Sequence, residues 1–284
     1  MKMIRRLFLG LLCLIALGAV LGFGYFYWQG SKVPDTTGDY VALGSSFAAG
    51  IGLGAQAGGS PVQCLRSKGG YPSLVARQTG LKLVDMSCSG STSQHILDGG
   101  QMMLGPQLAA VGPAARLVTL TTGGNDLGYI GDLVASSGGL GVFGRLSPRK
   151  IEPAADRPYP AVARNIGTII ARIRERAPRA VIVVVNYPRV LPVRGSCAAL
   201  GISQAQADIS REVARRLAVM TKQAALRAGA HYVDMDAASA GHDACSAVPW
   251  VRGAEGKWGS AFHPNAAGAA ASAQRVMAAA SANM

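Results

Sequence analysis

The fold of this chain is decided by the stretch Ala180-Val181-Ile182-Val183-Val184-Val185. Its β-branched residues follow one another without a polar break, which is typical of a strand covered on both faces. Less clear candidate strands lie at 40–43, 81–86, 117–120 and 231–235, and the last of these is weaker. The sequence therefore predicts a central sheet of about five strands.

Helical patterns alternate with these runs. Apolar residues recur at helical spacing over 162–173 and again over 209–224, and Ser203 is a suitable cap for the second helix. An alanine-rich helix is expected after Pro264. Because strands and helices alternate, we expect an α/β fold with a parallel sheet between helices on both faces.

The first 28 residues form a segment of their own. Lys2, Arg5 and Arg6 precede an uncharged run from 7 to 28, which is long enough to cross a bilayer as a helix. The run ends in an aromatic cluster and offers only a weak cleavage site, so an uncleaved anchor is favoured over a removed signal peptide. In both cases the basic flank stays inside and the rest is exported. Residues 29–38 are a polar linker, and 39–284 form the folded domain.

The composition excludes several classes of protein. The 284 residues are 49% hydrophobic and only 15% charged, which excludes an intrinsically disordered chain. There are 28 Lys and Arg against 15 Asp and Glu, a formal charge of +13. These basic residues are scattered, most densely at 145–150, without interleaved aromatics, which argues against a nucleic-acid partner. The excess of positive charge has two interpretations. It is either an ordinary basic, solvated surface or a surface that attracts anionic lipid headgroups or cell-wall polymers.

Four cysteines follow the apolar segment: Cys64, Cys88, Cys197 and Cys245. An even count in an exported chain predicts two disulfides. Their spacing resembles neither a zinc ribbon nor a CxxC redox site, and no metal or cofactor is expected. Three pairings are possible, of which we favour the local one, Cys64–Cys88 with Cys197–Cys245.

Candidate catalytic residues lie where the predicted strands end and in the loop before the last helix. Ser46 follows the strand at 40–43 in a turn of small residues, which exposes a serine for nucleophilic attack. A serine needs a base, and His263, ahead of the last helix, can reach over the sheet edge. Gly90 and Asn125 follow the next two strands, where a backbone N–H and a side-chain amide can stabilise an oxyanion.

Taken in order, these blocks resemble the SGNH hydrolases, also called the GDSL family, over residues 39–280. The resemblance is nearest to the secreted actinobacterial esterase and phospholipase branch. It implies a three-layer, flavodoxin-like fold and ester hydrolysis without a cofactor. It also implies that Ser46 attacks, that His263 is the base, and that Ser46 N–H, Gly90 N–H and Asn125 form the oxyanion hole. The matching blocks are Gly44-Ser45-Ser46-Phe47, Gly90, Gly123-Gly124-Asn125-Asp126 and His263-Pro264-Asn265. The branch also supports the Cys64–Cys88 pair.

Two positions depart from the family pattern. The aspartate that usually precedes the nucleophile is Ser45, and the one that usually lies three residues before the histidine is Ser260. The actinobacterial branch is similar at the second position, because a backbone carbonyl accepts the histidine Nδ1–H there. We therefore expect a Ser–His dyad in which the Ser260 carbonyl orients His263. Asp243 and Glu255 are the alternative third members.

The function predicted from the sequence is hydrolysis of acyl esters, with lipids as the favoured substrate, by an exported enzyme held at the membrane. Two alternatives stay open: removal of O-acetyl groups from cell-wall polysaccharide, and an inactive, anchored binding module. A set of apolar residues either lines an acyl pocket or forms a short core helix: Leu127, Tyr129, Ile130, Leu133 and Val134. The oligomeric state is not specified by the sequence.

Overall fold

The computed structural model describes residues 2–139, 151–256 and 259–282. Within them, five strands form one parallel sheet in the order β2-β1-β3-β4-β5, which is the flavodoxin-like order. The predicted parallel sheet is confirmed. The strands are β1 (Tyr40–Gly44), β2 (Leu83–Asp85), β3 (Leu117–Thr121), β4 (Val181–Val185) and β5 (His231–Val233).

Helices cover both faces of the sheet. In chain order the described helices are α1 (Lys2–Gly30), α2 (Ser46–Ala49), α3 (Tyr71–Thr79), α4 (Ser93–Asp98), α5 (Tyr129–Ser136), α6 (Tyr159–Arg176), α7 (Gln204–Arg227), α8 (Met235–Ala238) and α9 (Ala266–Ser281). One face packs against α4, α6 and α7, and the other packs against α3 and α9. The expected three-layer α/β/α architecture is therefore confirmed.

The run at 180–185 is apolar throughout because β4 has a core on each side. Ile182 and Val184 pack into the core under α6 and α7, whereas Val181 and Val183 pack into the core under α9. Each fully buried side chain of this size contributes roughly 1.5–3 kcal/mol relative to an exposed one. A charged residue on either face of β4 would therefore be strongly destabilising.

The long helices form where the apolar period predicts them. In α6 the residues at the predicted spacing, from Val162 to Ile173, are buried. At the start of α7 the Ser203 side chain accepts a hydrogen bond from the Gln206 N–H at 3.3 Å. The short helices α3 and α4 were not predicted. With nine and six residues they make too few turns for a helical period of apolar residues to be recognised in the sequence.

Both disulfides have the predicted pairing, Cys64–Cys88 and Cys197–Cys245. The first joins the loop after α2 to the loop after β2, and the second joins the loops that follow β4 and α8. Their sequence separations of 24 and 48 residues correspond to roughly 3–4 kcal/mol each in the chain-entropy account. Both disulfides brace loops at the carboxyl edge of the sheet.

Helix α1 is long and apolar enough to cross a membrane by length and composition. Its mean hydropathy reaches 2.5, and no part of its most apolar stretch is buried in the protein. The sequence patch with the densest basic charge, 145–150, lies outside the described residues.

Candidate active site

The turn that presents Ser46 depends on a glycine. At Gly44, where β1 ends, φ is 147°, and a Cβ there would lie 2.4 Å from the Thr121 carbonyl oxygen of β3. Only glycine allows β1 and β3 to approach so closely at this edge. Ser46 then begins α2, so its side chain stands at the carboxyl edge of the sheet, where parallel folds bind ligands.

His263 lies directly beside this serine. Its Nε2 atom is 2.7 Å from the Ser46 Oγ, and its Nδ1 atom is 2.8 Å from the Ala261 carbonyl oxygen. Because a carbonyl only accepts, Nδ1 carries the proton and Nε2 has the lone pair that accepts the serine O–H. Asn265 caps α9 through Gly268 N–H and so holds the loop in place. The two predicted catalytic residues are therefore in hydrogen-bond contact across 217 positions of sequence.

The prediction for the orienting carbonyl is wrong by one residue. The Ser260 carbonyl accepts the backbone N–H of His263 at 3.2 Å and closes a turn. In that turn Phe262 has a positive φ of 61°. This backbone conformation leaves the Ala261 carbonyl, rather than that of Ser260, facing the imidazole ring.

Neither alternative acid contacts the histidine. The Asp243 carboxylate accepts the backbone N–H of Cys245 at 2.9 Å, and Glu255 is exposed. Among the described residues, no Asp or Glu forms an ion pair or hydrogen bond with His263. The partner of Nδ1 is a neutral peptide carbonyl.

The surroundings of His263 keep its imidazole neutral. Burial is the largest cause that lowers the pKa of His263, to about 4, and the positive charge of Arg252 acts in the same direction. The hydrogen bond to the Ala261 carbonyl raises this pKa and so opposes both effects. Arg252 is held by its backbone N–H to the His263 carbonyl and by its Nη1 to the Pro264 carbonyl, each at 2.9 Å.

The predicted oxyanion residues line the same cavity as the Ser46–His263 pair. This cavity has a volume of about 270 Å³, and Gly90 and Asn125 are part of its wall. The Asn125 Nδ2 donates one hydrogen bond to the Ser91 carbonyl at 2.8 Å, which fixes the amide and leaves its second N–H. Within 2–139, 151–256 and 259–282, no acceptor is bonded to the backbone N–H of Ser46 or of Gly90.

Two buried side chains that the sequence did not reveal connect the loops of the site. The Tyr187 hydroxyl accepts the Gly124 N–H at 3.0 Å and is 3.3 Å from the Ser45 Oγ. The Gln107 side-chain amide accepts a hydrogen bond from the Gly44 N–H and donates one to the Gly44 carbonyl. Tyr187 lies two residues after the end of β4, at the carboxyl edge of the sheet, and this position was a usable signal. Gln107 lies in a short 3-10 turn and carries no such signal.

Helix α5 combines the two interpretations of the apolar residues at 127–134. Leu127, Tyr129 and Leu133 are buried in the core. Ile130, which is also buried, and Val134 line the cavity that contains Ser46. Ile51, from the loop after α2, adds to this apolar wall. The site therefore has a polar side at Gly90 and Asn125 and an apolar side at α5.

The sheet order, with a serine and a histidine in contact at its carboxyl edge, is compatible with the predicted class, the acyl-ester hydrolases. Residues 42–271 match the GDSL-like Lipase/Acylhydrolase family, and the chain belongs to this family. The protein is a carboxylic ester hydrolase of the GDSL type.

Individual relatives agree with this assignment over most of the chain. Lipase 2 of Streptomyces coelicolor is 34% identical over 259 residues, which cover 84% of each protein. A lipase of Streptomyces rimosus is 31% identical over 233 residues, 81% of this chain and 82% of that one.

Solved structures show the same similarity in three dimensions. The extracellular lipase from Streptomyces rimosus superposes with a TM-score of 0.69 at 29% identity, over 85% of this chain and 99% of that chain. Phospholipase A1 from Streptomyces albidoflavus has a TM-score of 0.66 at 25% identity, over 87% and 100%.

Proposed function

We propose that this protein is a membrane-anchored lipid esterase that uses Ser46 as nucleophile and His263 as its base. The observation that carries the proposal is the 2.7 Å contact between Ser46 Oγ and His263 Nε2 in a cavity with one apolar wall. An inactive binding module would have no need of this pair.

In the first half-reaction Ser46 Oγ attacks the ester carbonyl carbon, and its proton passes to Nε2 of His263. The carbonyl oxygen becomes an oxyanion, which the N–H groups of Ser46, Gly90 and Asn125 stabilise. When the tetrahedral intermediate collapses, the imidazolium returns the proton to the leaving alcohol. The product is an acyl group on Ser46.

In the second half-reaction water takes the place of the alcohol. Nε2 of His263 removes a proton from water, the hydroxyl attacks the acyl carbon, and Ser46 Oγ leaves with the proton. The Ala261 carbonyl holds the ring in the productive tautomer during both steps. A carbonyl dipole stabilises the imidazolium less than a carboxylate would, so the oxyanion donors and the preorganised geometry carry more of the catalysis.

Lipid esters fit the cavity better than acetylated sugars do. Ile51, Ile130 and Val134 supply apolar surface for an acyl chain beside the nucleophile. Similar proteins are named lipase and phospholipase A1. Removal of O-acetyl groups from cell-wall polysaccharide is the competing activity, and the substrate panel described below tests it.

We place the enzyme on the outer side of the membrane. The basic flank of α1 favours the inner side, and the two disulfides require an oxidising compartment. The uncharged run at 7–28 then acts as an uncleaved anchor. One similar solved protein is described as an extracellular lipase, which supports export.

Covalent labelling with a fluorophosphonate probe tests the nucleophile. Ser46→Ala is expected to abolish labelling and turnover. The neighbouring substitution Ser45→Ala is the matched control and should stay labelled, because the Ser45 Oγ contacts Tyr187 and not His263. Loss of labelling in Ser45→Ala with retention in Ser46→Ala would contradict the mechanism.

A substrate panel tests the substrate class. Wild-type protein is compared on p-nitrophenyl esters, phospholipid vesicles and acetylated glycans at equal concentration. Preference for the acetylated glycan over every lipid would replace the lipid assignment by O-acetyl removal.

A further inference from the structure

The outer end of α1 rests on the catalytic domain at two points. The Tyr25 hydroxyl accepts the backbone N–H of Val62 at 3.2 Å. Five residues later, Gly30 lies so close to the domain that a Cβ would be 1.9 Å from the Met103 carbonyl oxygen. The helix therefore meets two loops of the domain, at 62–65 and at 101–103.

These two loops carry large apolar side chains that are exposed. Their exposed fractions are 51% at Val62, 44% at Leu65, 51% at Met102 and 44% at Met103. We call these four residues the docking face. Leu65, Met102 and Met103 also have positive φ, a conformation that is costly for such residues. Of the four non-glycine residues with positive φ in the described parts of the chain, three are in this face.

The contacts with α1 set the depth of the docking face relative to a bilayer. At 1.5 Å per residue the uncharged run at 7–28 is ~33 Å long, close to the ~30 Å hydrocarbon thickness. Trp28 then lies at the interface, and Tyr25 lies one turn deeper. Because Val62 is bonded to Tyr25, the docking face stands at the boundary between headgroups and acyl chains.

A lysine lies next to the docking face, at the level where lipid headgroups would be. Lys32 follows α1 and lies 3.7 Å above the Trp28 ring. Lys32 also lines a cavity of about 270 Å³ between the end of α1 and the domain, and the described lining of this cavity includes no Asp or Glu. Arg66, in the same lining, is buried and donates its Nε–H to the Ser87 carbonyl, so Lys32 is the basic residue that can attract anionic headgroups.

We propose that the docking face inserts into the outer leaflet of the same bilayer that α1 crosses. The domain is thus held in one orientation on the lipid surface instead of swinging freely on its anchor. This inference rests on the uncleaved anchor proposed above. The apolar side chains, which would otherwise be in water, are then buried ~5–10 Å into the interface, as in monotopic proteins.

Insertion at this face would bring the oxyanion loop to the lipid. Cys64, in the first docking loop, is bonded to Cys88, two residues before Gly90. In the second loop, the Gln101 Nε2 donates to the Ser89 carbonyl at 2.7 Å. Both docking loops are therefore attached to the loop that lines the catalytic cavity, so an ester lifted from the outer leaflet has a short path to Ser46.

Depth-dependent fluorescence quenching tests the orientation without reference to catalysis. In full-length protein with Cys13→Ser, in which the four remaining cysteines form the two disulfides, one free cysteine at a time is introduced as Val62→Cys or Met102→Cys and labelled with an environment-sensitive fluorophore. The matched controls are Val193→Cys and Leu226→Cys, which are also exposed but belong to the loop after β4 and to α7, not to the docking loops. The proteins are reconstituted into phosphatidylcholine–phosphatidylglycerol vesicles that carry nitroxide lipids.

We expect a blue shift and strong nitroxide quenching at positions 62 and 102, and neither at 193 and 226. Quenching at 62 and 102 no greater than at 193 would overturn the proposal. Circular dichroism checks the fold of each variant, and Leu65→Cys replaces Val62→Cys if the latter is unfolded. Since the readout needs no turnover, failure here is distinguishable from failure of the proposed esterase activity.

Discussion

Acid conditions provide a direct probe of how His263 is buried. Desolvation lowers the pKa of His263 from its ordinary value of 6.5 to about 4. The imidazole therefore remains neutral, and able to take the Ser46 proton, down to about pH 4. We expect kcat/KM for a soluble ester to rise with pH through about 4 and to be flat at neutral pH.

The same pKa difference changes the free energy of unfolding, with a sign that follows from proton uptake. Between pH 6.5 and about 4 the unfolded chain binds a proton at His263 and the folded chain does not. Unfolding therefore becomes easier as the pH falls through this window. At about 1.4 kcal/mol per pH unit, the fall from 6.5 to about 4 amounts to about 3 kcal/mol. Above this window His263 contributes no pH dependence.

The assay compares wild type with His263→Gln, which keeps a polar side chain but does not titrate. Denaturant unfolding at a series of pH values gives the free energy of unfolding of each protein, and their difference isolates His263. Wild type should lose about 3 kcal/mol more than the variant between neutral pH and pH 4. The rate of p-nitrophenyl acetate hydrolysis, followed over the same pH range, gives the kinetic midpoint.

The reasoning is refuted by a kinetic midpoint near 6.5 together with parallel stability curves for the two proteins. That result would mean that water solvates the imidazole and that burial does not control its pKa. A low kinetic midpoint with parallel stability curves would equally contradict the linkage, because a group with different pKa values in the two states must change stability.

Three further predictions concern residues around this pair. Asp243→Asn and Glu255→Gln are each expected to keep kcat within about tenfold of the wild-type value. Loss of a true triad acid lowers kcat on the order of 10⁴-fold, and a fall of that size in either variant would contradict the dyad. Tyr187→Phe leaves a buried backbone N–H without its acceptor and should lower the free energy of unfolding by about 1–3 kcal/mol in denaturant titrations, with a lower kcat; unchanged stability would disprove this role. Arg252→Met removes a positive charge that lowers the pKa of His263, so the midpoint of the pH–rate profile should move upward, and a downward move would be inconsistent with that charge effect.

The sequence by itself was sufficient for the strands and the long helices of the fold. Uninterrupted β-branched residues and apolar residues at helical spacing are local patterns, and they predicted all five described strands and the long helices α6, α7 and α9. The small-residue turn after the strand at 40–43, together with a histidine in the loop before the last helix, was enough to predict that Ser46 and His263 lie close together. Because the carboxyl ends of parallel strands lie along one edge, linear order translates into proximity.

Only the tertiary structure decided which atoms act as partners. Whether Ser260 or Ala261 turns its carbonyl toward His263 depends on the φ angle of Phe262, and residue types do not encode such a torsion uniquely. The roles of Tyr187 and Gln107 likewise arise from contacts across 63 residues of sequence. Carbonyl direction and long-range contact are set by the packing of the whole domain, because each local segment has several conformations of similar energy until its neighbours select one.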